Sequence, residues 1–176
     1  MNDSAPFSAS DDYRLGETPG QHPVATIAEA RDAALALARQ ARFALRIFSR
    51  DLDAALLSTR EFRDAASDLA RRGRQTEVRI LVLDPSAAVR RHHELIDLAQ
   101  HLSSHVGARR VGDDWQDEIC AFVLADEQGL LWRPYGDRYE GHVDFSAGPR
   151  GRELRKWFDG VWEASEPDPE FRRLGI

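Results

Sequence analysis

A nearly unbroken aliphatic run, VRILVL at residues 78–83, constrains the fold of this 176-residue chain more than any other feature. A strand with one face in water alternates apolar and polar residues, whereas a run of this kind indicates a strand covered on both faces. A second strand is predicted over FALRIF at residues 43–48. Because buried strands of this kind need helices packed on both faces of their sheet, the sequence predicts an α/β domain.

Helical patterns separate the predicted strands. Thr26-x-x-Glu29 and Ser58-x-x-Glu61 are capping boxes, and each opens a stripe of apolar residues at helical spacing. The remaining predicted elements are a helix at 90–106, a short strand at 108–111, a β-hairpin at 121–133 and a last helix at 152–164. This order is typical of a mostly parallel sheet flanked by helices.

Composition divides the chain into three segments. Residues 1–23 are rich in Ser, Asp, Pro and Gly, which predicts a flexible N-terminal leader outside the fold. Residues 24–166 form the predicted α/β domain. Residues 167–176 follow the last helix, which Pro167 and Pro169 prevent from continuing, and are predicted to be a C-terminal tail.

Charge and cysteine content exclude several classes of protein. Acidic residues outnumber basic ones, 30 against 24, and the net charge of -6 disfavours nucleic acid and anionic membrane as partners of the molecule as a whole. The single cysteine, Cys120, excludes an internal disulfide and fits a reducing compartment. No signal peptide or membrane-spanning apolar segment is found, so we expect a cytoplasmic protein without membrane contact. Glycine-rich phosphate and dinucleotide loops are absent, and no cofactor is predicted.

Four stretches follow the order of elements in one half of a phospholipase D-type domain. They are IFSRDLDAALLSTREFRDAASDLARRGRQTEVRILVLDP, HHELIDLAQHLSSHVGARRV, AFVLADEQGLLWRP and RELRKWFDGVWEAS. Over residues 43–165 the chain therefore resembles a phospholipase D-like half-domain. Similar stretches are appended to GNAT-type acetyltransferases in bacterial proteins, but this chain lacks the glycine-containing loop that holds a CoA pyrophosphate.

The resemblance fails at the residues that carry the family's chemistry. Active members have His-x-Lys-x-x-x-x-Asp, in which the His attacks the phosphodiester phosphorus and the Lys holds phosphate oxygens. With Asp126 at the motif Asp, Ile119 stands at the His position and Ala121 at the Lys position. An active site of this type also needs two His-bearing halves. The resemblance thus implies the fold of a degenerate half-domain without its chemistry, and pairing with a second copy is expected.

Ligands of α/β sheets bind at the carboxyl ends of the strands. Ser49, Arg50 and Asp51 follow the first predicted strand, and Asp84 follows the second. These four residues are candidates for ligand binding, together with Asp126, or for an enzyme site of an unrecognised kind.

Two further clusters lie on the predicted helix at 90–106. Arg90, Arg91 and His92 open it, where cationic side chains and exposed N–H groups can bind a phosphate or nucleic acid. Asp97, His101 and His105 follow at i, i+4 and i+8, which stacks three possible metal ligands on one helical face. An ordinary solvated polar surface is the alternative for both clusters.

Taken together, the residues favour a non-catalytic binding or protein-interaction module, acting as a homodimer or with a protein partner. Two alternatives remain open: a phosphate or nucleic-acid binding protein, and a metal-assisted hydrolase.

Overall fold

The capping box at Thr26 forms as the sequence predicts. In the computed structural model, which describes residues 5–172, helix α1 spans Ile27–Gln40. The Thr26 side chain accepts from the Glu29 N–H, and the Glu29 carboxylate accepts from the Thr26 N–H. Most of the buried residues of α1 are alanines, so its backbone can approach the sheet closely.

One half of the sheet is parallel. Its strands are β2 (Ala44–Ser49), β3 (Glu77–Val82) and β4 (Val106–Arg110). Parallel neighbours need crossover connections, which are α2 (Ala54–Leu57) with α3 (Arg60–Arg71), and then α4 (Ser86–Arg90) with α5 (Glu94–His101). Helix α3 is capped by Thr59, one residue after the predicted cap, Ser58.

The single helix predicted at 90–106 is wrong. Helix α4 ends at Arg90, and His92 has a positive φ of 50°, which interrupts the helical hydrogen bonding. His93 then caps α5, where its Nδ1 accepts from the Leu95 N–H at 3.1 Å. The apolar spacing continues across the break, so periodicity alone did not reveal it.

The other half of the sheet is antiparallel. It contains β5 (Ala121–Ala125), β6 (Gly129–Arg133), β7 (Gly141–Asp144) and β1 (Gln21–Val24), and the full order is β1-β7-β6-β5-β2-β3-β4. The α/β class with flanking helices is confirmed, but the sheet is mixed. Parallel pairing is limited to β2, β3 and β4, because β5 joins β2 antiparallel and the strands beyond it continue antiparallel. Of these, β1 and β7 are short, polar strands that no apolar pattern predicted.

Both predicted terminal segments contribute to the core. Phe7 is 4% exposed and stacks on Tyr13, with ring centroids 5.1 Å apart, and β1 also begins within the predicted leader at 1–23. Phe171, within the predicted tail at 167–176, is 5% exposed. The predicted boundaries are therefore wrong for these residues, and residues 1–4 and 173–176 lie outside the described part of the chain.

The sheet separates two hydrophobic clusters. Helices α1–α5 cover one face and α6 (Gly148–Glu163) covers the other. Arg46 of β2 points toward α6. It pairs with Glu77 of β3 and with Asp159 of α6 at 3.1 Å each, and so fixes the helix over the strands. Among residues 5–172, no helix is long and apolar enough to cross a membrane.

Helix α6 packs closely on the β5–β6 turn at Gly151. A Cβ added there overlaps the carbonyl oxygen of Glu127, and a backbone atom cannot rotate away. We expect Gly151→Ala to lower the free energy of unfolding by about 2 kcal/mol or more. Gly160 of the same helix has nothing within 4 Å of an added Cβ, so Gly160→Ala should raise it by about 0.5–1 kcal/mol. Urea denaturation measures both changes, and two equally stable variants would contradict this packing.

Candidate functional site

Three segments meet where β2 and β3 end and β5 begins. Ser49 pairs with Val82 in the parallel register, and Phe48 pairs with Phe122 in the antiparallel one. We call this side the strand-end edge, and it comprises residues 49–51, 84 and 119–121. The opposite side, where β2 begins and β5 ends, is the strand-start edge. Open α/β sheets bind ligands at the strand-end edge.

The predicted strand-end residues adjoin one another. The Asp84 N–H donates to the Arg50 carbonyl at 2.6 Å. Ser49 is 2% exposed, and its Oγ accepts from the Leu52 N–H at 3.1 Å, so its hydroxyl stabilises the turn after β2. Asp84 accepts from the Ser86 N–H at 3.0 Å, and hydrogen bonds from Ser86 hold the pKa of its carboxyl below the ordinary value. Arg50, Asp51 and Asp84 are exposed to solvent.

Ile119 and Ala121, which the resemblance sets against the motif His and Lys, are also at this edge. Ile119 is 58% exposed, and its carbonyl accepts from the Gly136 N–H at 2.7 Å. Ala121 is 2% exposed, and a Cβ added to Gly136 would lie 3.4 Å from its Cβ. The loop that follows β6 therefore lies against Ala121, the position that the resemblance sets against the motif lysine.

Asp126 lies at the strand-start edge, at the opposite end of the strands from Ser49 and Asp84. Its Oδ2 accepts from the Arg42 N–H at 2.6 Å, and its Oδ1 accepts from the N–H groups of Phe43 and Ala44 at 2.8 Å each. The carboxylate is thus occupied by the backbone at the start of β2. This position gives Asp126 an anchoring role and separates it from the other predicted ligand-binding residues.

A buried ion pair at the strand-end edge was not predicted. The Arg133 side chain is 4% exposed and donates to Asp53 Oδ2 at 3.1 Å and to the Arg138 carbonyl at 2.9 Å. Its guanidinium lies 5.7 Å from the ring centroid of Tyr139. Arg133 lies two residues after Leu131 in β6 and so shares its buried face. An arginine at such a position was the sequence signal for a buried ion pair.

An apolar pocket of about 290 Å³ opens between β5, β6 and α6 near the same edge. Its aromatic wall consists of Phe122, Trp132 and Trp157, and Arg150 lies 5.1 Å from the Trp132 ring. Cys120 also lines it, and burial raises the pKa of this thiol to about 11. The thiol is therefore protonated at neutral pH and is a weak nucleophile.

Arg90, Arg91 and His92 do not open a helix. Arg90 is the last residue of α4 and Arg91 is its C-cap. The first N–H groups of α5 are already used, since Glu94 N–H donates to Ser58 Oγ at 3.3 Å and Leu95 N–H donates to His93. The predicted phosphate site at a helix start is therefore not formed, and the three side chains are exposed.

Asp97, His101 and His105 do not share one helical face. Helix α5 ends at His101, and His105 lies beyond it, with Nδ1 3.0 Å from the Thr76 carbonyl oxygen. The ring of His101 instead contacts the backbone carbonyl of Asp97 at 2.7 Å. Within residues 5–172, no group of three His, Cys, Asp or Glu side chains is placed to hold a metal ion.

His93 is a buried titratable group beside the strand-end edge. It is 2% exposed, and burial lowers the pKa of its imidazole to about 4, while the Leu52 backbone offsets part of that effect. In the unfolded chain this imidazole is protonated near its ordinary pKa of 6.5, whereas in the folded protein it is still neutral at that pH. The free energy of unfolding therefore falls as the pH drops from about 6.5, and this loss is complete below about pH 4.

The variant His93→Asn keeps an acceptor for the Leu95 N–H and removes the titrating ring. We expect the wild-type protein to lose about 3 kcal/mol more unfolding free energy than this variant between about pH 7 and pH 4. His92→Asn, at the exposed neighbouring position, is the control for a general effect of this substitution. Urea unfolding at a series of pH values measures the difference. Parallel pH profiles for wild type and His93→Asn would show that this ring is not buried in its neutral form.

The family whose model matches the chain is described as "Domain of unknown function (DUF7931)", and the match covers residues 26–174. No curated protein matches the sequence.

Several solved structures share the fold. Nuc from Salmonella typhimurium, a phospholipase D family member, has a TM-score of 0.61 at 12% identity, over 86% of this chain and 99% of that one. NucT from Helicobacter pylori has a TM-score of 0.56 at 11% identity, over 86% and 100%. TrmBL2, an archaeal chromatin protein with a novel mode of DNA binding, has a TM-score of 0.60 at 13% identity, over 84% of this chain. The match spans 54% of the TrmBL2 chain, about half its length.

Proposed function

The chain belongs to the DUF7931 domain family, and we propose that it is a phospholipase D-fold domain that acts by binding and not by catalysis. Position 121 carries the proposal, because Ala121 is 2% exposed beneath the loop after β6. Ile119, at the other motif position, offers no nucleophile. Phosphoryl transfer of the phospholipase D type lacks both of its chemical groups in this chain.

Other nucleophiles near the strand-end edge do not replace the missing histidine. The Ser49 hydroxyl is buried and hydrogen-bonded to the Leu52 N–H. The Cys120 thiol is protonated at neutral pH, because burial raises its pKa to about 11. Asp53 is neutralised by Arg133. None of these three groups is therefore available as a nucleophile.

Hydrolysis of bis(p-nitrophenyl) phosphate, measured with and without added Mg²⁺ or Zn²⁺, tests the absence of catalysis. We expect no rate above that of buffer with the same metal ion, since neither motif group is present. A rate that rises with protein concentration and falls in Asp84→Asn would contradict the proposal, because it would place chemistry at the strand-end edge. Asp68→Asn, at an exposed position near the end of α3, is the control for an unspecific effect of surface charge.

We further propose that the bound partner at this edge is a second copy of the chain. Ile119 is 58% exposed and Tyr135 is 51% exposed, and the hydrogen bond between Gly136 and Ile119 holds the two side chains on adjoining segments. A symmetric dimer buries the same patch on both subunits. Exposed apolar side chains at one edge are suited to such an interface.

Light scattering of the purified protein tests pairing. We expect a mass of twice 19.8 kDa for the wild type and a monomer for Ile119→Asp, since a carboxylate in an apolar interface is costly. Ile27→Asp is the matched control, because Ile27 is also exposed and lies in the first turn of α1. A monomeric wild type would refute pairing and leave the absence of catalysis to the hydrolysis assay.

A nucleic-acid or phosphate ligand is the second candidate function. TrmBL2, which shares the fold, is a chromatin protein with a mode of DNA binding. The observation that favours such a ligand here is a group of exposed arginines around Phe43 at the strand-start edge.

We place the protein in a reducing, cytoplasmic compartment of a bacterium as part of the same proposal. Cys120 is the single cysteine of the chain, and its thiol is half-buried. A free thiol of this kind needs no oxidising environment.

A further inference from the structure

Phe43 is the most exposed large hydrophobic side chain of the described residues, at 65%. Its backbone is fixed on both sides, because its N–H donates to Asp126 Oδ1 at 2.8 Å and its carbonyl accepts from the Glu77 N–H at 3.0 Å. An aromatic ring is therefore presented to solvent from a rigid part of the sheet. Exposure of such a ring forgoes hydrophobic stabilisation that a partner can restore.

Two open clefts of about 660 and 770 Å³ adjoin at this ring and share Arg42, Phe43 and Arg72. We call them together the arginine cleft. Its exposed cationic side chains are Arg14, Arg39, Arg42, Arg72 and Arg74. Five arginines around one ring form a local positive region on a chain whose net charge is -6.

Few acidic groups neutralise these arginines. Arg14 pairs with Asp12 at 3.0 Å, and the two carboxylates that line the cleft are Glu17 and Asp126. Asp126 already accepts three backbone N–H groups. For the other four arginines, no carboxylate within residues 5–172 lies within 4.0 Å of the guanidinium group.

The ends of two helices explain only part of the cluster. Arg39 is in the last turn of α1, and Arg72 caps α3 and donates to the Ala41 carbonyl at 2.8 Å. Cations at helix C-termini interact favourably with the helix dipole. Arg42 and Arg74 lie outside the helices, and the dipole gives no reason for an exposed phenylalanine between them.

We propose that the arginine cleft binds single-stranded nucleic acid, with phosphates on the guanidinium groups and a base stacked on Phe43. The inference specifies the second candidate function, and it does not depend on pairing at the strand-end edge. Cationic grooves with aromatic side chains bind single strands in this way, because every base offers a flat face. A duplex hides the faces of its bases, so the ring would have no stacking partner there.

Fluorescence anisotropy with a labelled oligothymidylate of about 12 nucleotides tests the proposal directly. We expect binding at about 50 mM salt that weakens steeply as salt rises, because phosphate contacts release counterions. Phe43→Ala should weaken binding about 5- to 100-fold, the range for loss of one base–aromatic stack. Phe43→Trp keeps a stacking surface and should bind at least as tightly as wild type.

The arginines are tested by the double variant Arg42→Gln/Arg74→Gln. Loss of two phosphate contacts should reduce the slope of log K against log salt by about 1.4, at about 0.7 for each contact. The matched control is Arg90→Gln/Arg91→Gln, which removes two exposed arginines at and just after the end of α4 and should bind like wild type. Ile27→Ala is the corresponding control for Phe43→Ala, because it removes an exposed apolar side chain in the first turn of α1, at the other end of that helix from the cleft.

Competitors distinguish a nucleic acid from other anions. Inorganic phosphate and polyglutamate should compete far less well than unlabelled oligothymidylate, and duplex DNA should bind without any effect of Phe43→Ala. Absence of binding by wild type at low salt would overturn the proposal, as would equal losses in the cleft variants and their controls. Equal competition by polyglutamate would also overturn it, in favour of an acidic polypeptide. The mass and the hydrolysis rate are measured without an oligonucleotide. A failure of the binding experiment is therefore separate from a failure of the proposals at the strand-end edge.

Discussion

The carboxylate of Asp126 holds the two halves of this sheet together. It sits in the turn between β5 and β6 and accepts N–H groups from three successive residues at the start of β2. Hydrogen bonds to a charged acceptor contribute about 1.5–3 kcal/mol each. They set the antiparallel β5 beside the parallel β2 in the register that pairs Leu45 with Ala125. The same contacts fix the backbone of Phe43, so one residue determines both the sheet and the strand-start surface.

The packing of the fold does not depend on charged groups at positions 119 and 121. The core on the α6 side consists of aromatic and aliphatic contacts, such as Phe48 on Phe122 with ring centroids 5.7 Å apart. Ile119 lies just before β5 and Ala121 is its first residue, and neither contributes a charge to this packing. An isoleucine and an alanine at these positions are therefore compatible with the sheet, which agrees with the general separation of fold and function.

Local signals in the sequence predicted the start of α1 and the buried strands well. The Thr26 capping box, the aliphatic run of β3 and the β5–β6 hairpin each depend on neighbouring residues. Non-local pairing was harder to predict, because β1 and β7 are short, polar strands whose partners lie more than a hundred residues apart. The helix break at His92 was also not predicted, since a residue with a left-handed backbone conformation does not alter the spacing of apolar residues. Asp126 was singled out by its motif position, but its backbone contacts could not be predicted. They join it to residues far away in the sequence, and Phe43 is separated from it by 83 positions.

The most direct test of a domain that binds without catalysis is a ¹⁵N NMR titration with a single-stranded oligonucleotide, followed until the strand is either bound or cut. The account predicts chemical-shift changes at the amides of Arg42, Phe43 and Arg74, with the oligonucleotide intact at the end. Shift changes centred on Asp84 and Ile119, with a cleaved oligonucleotide, would contradict it. That result would show that the strand-end edge retains an active site.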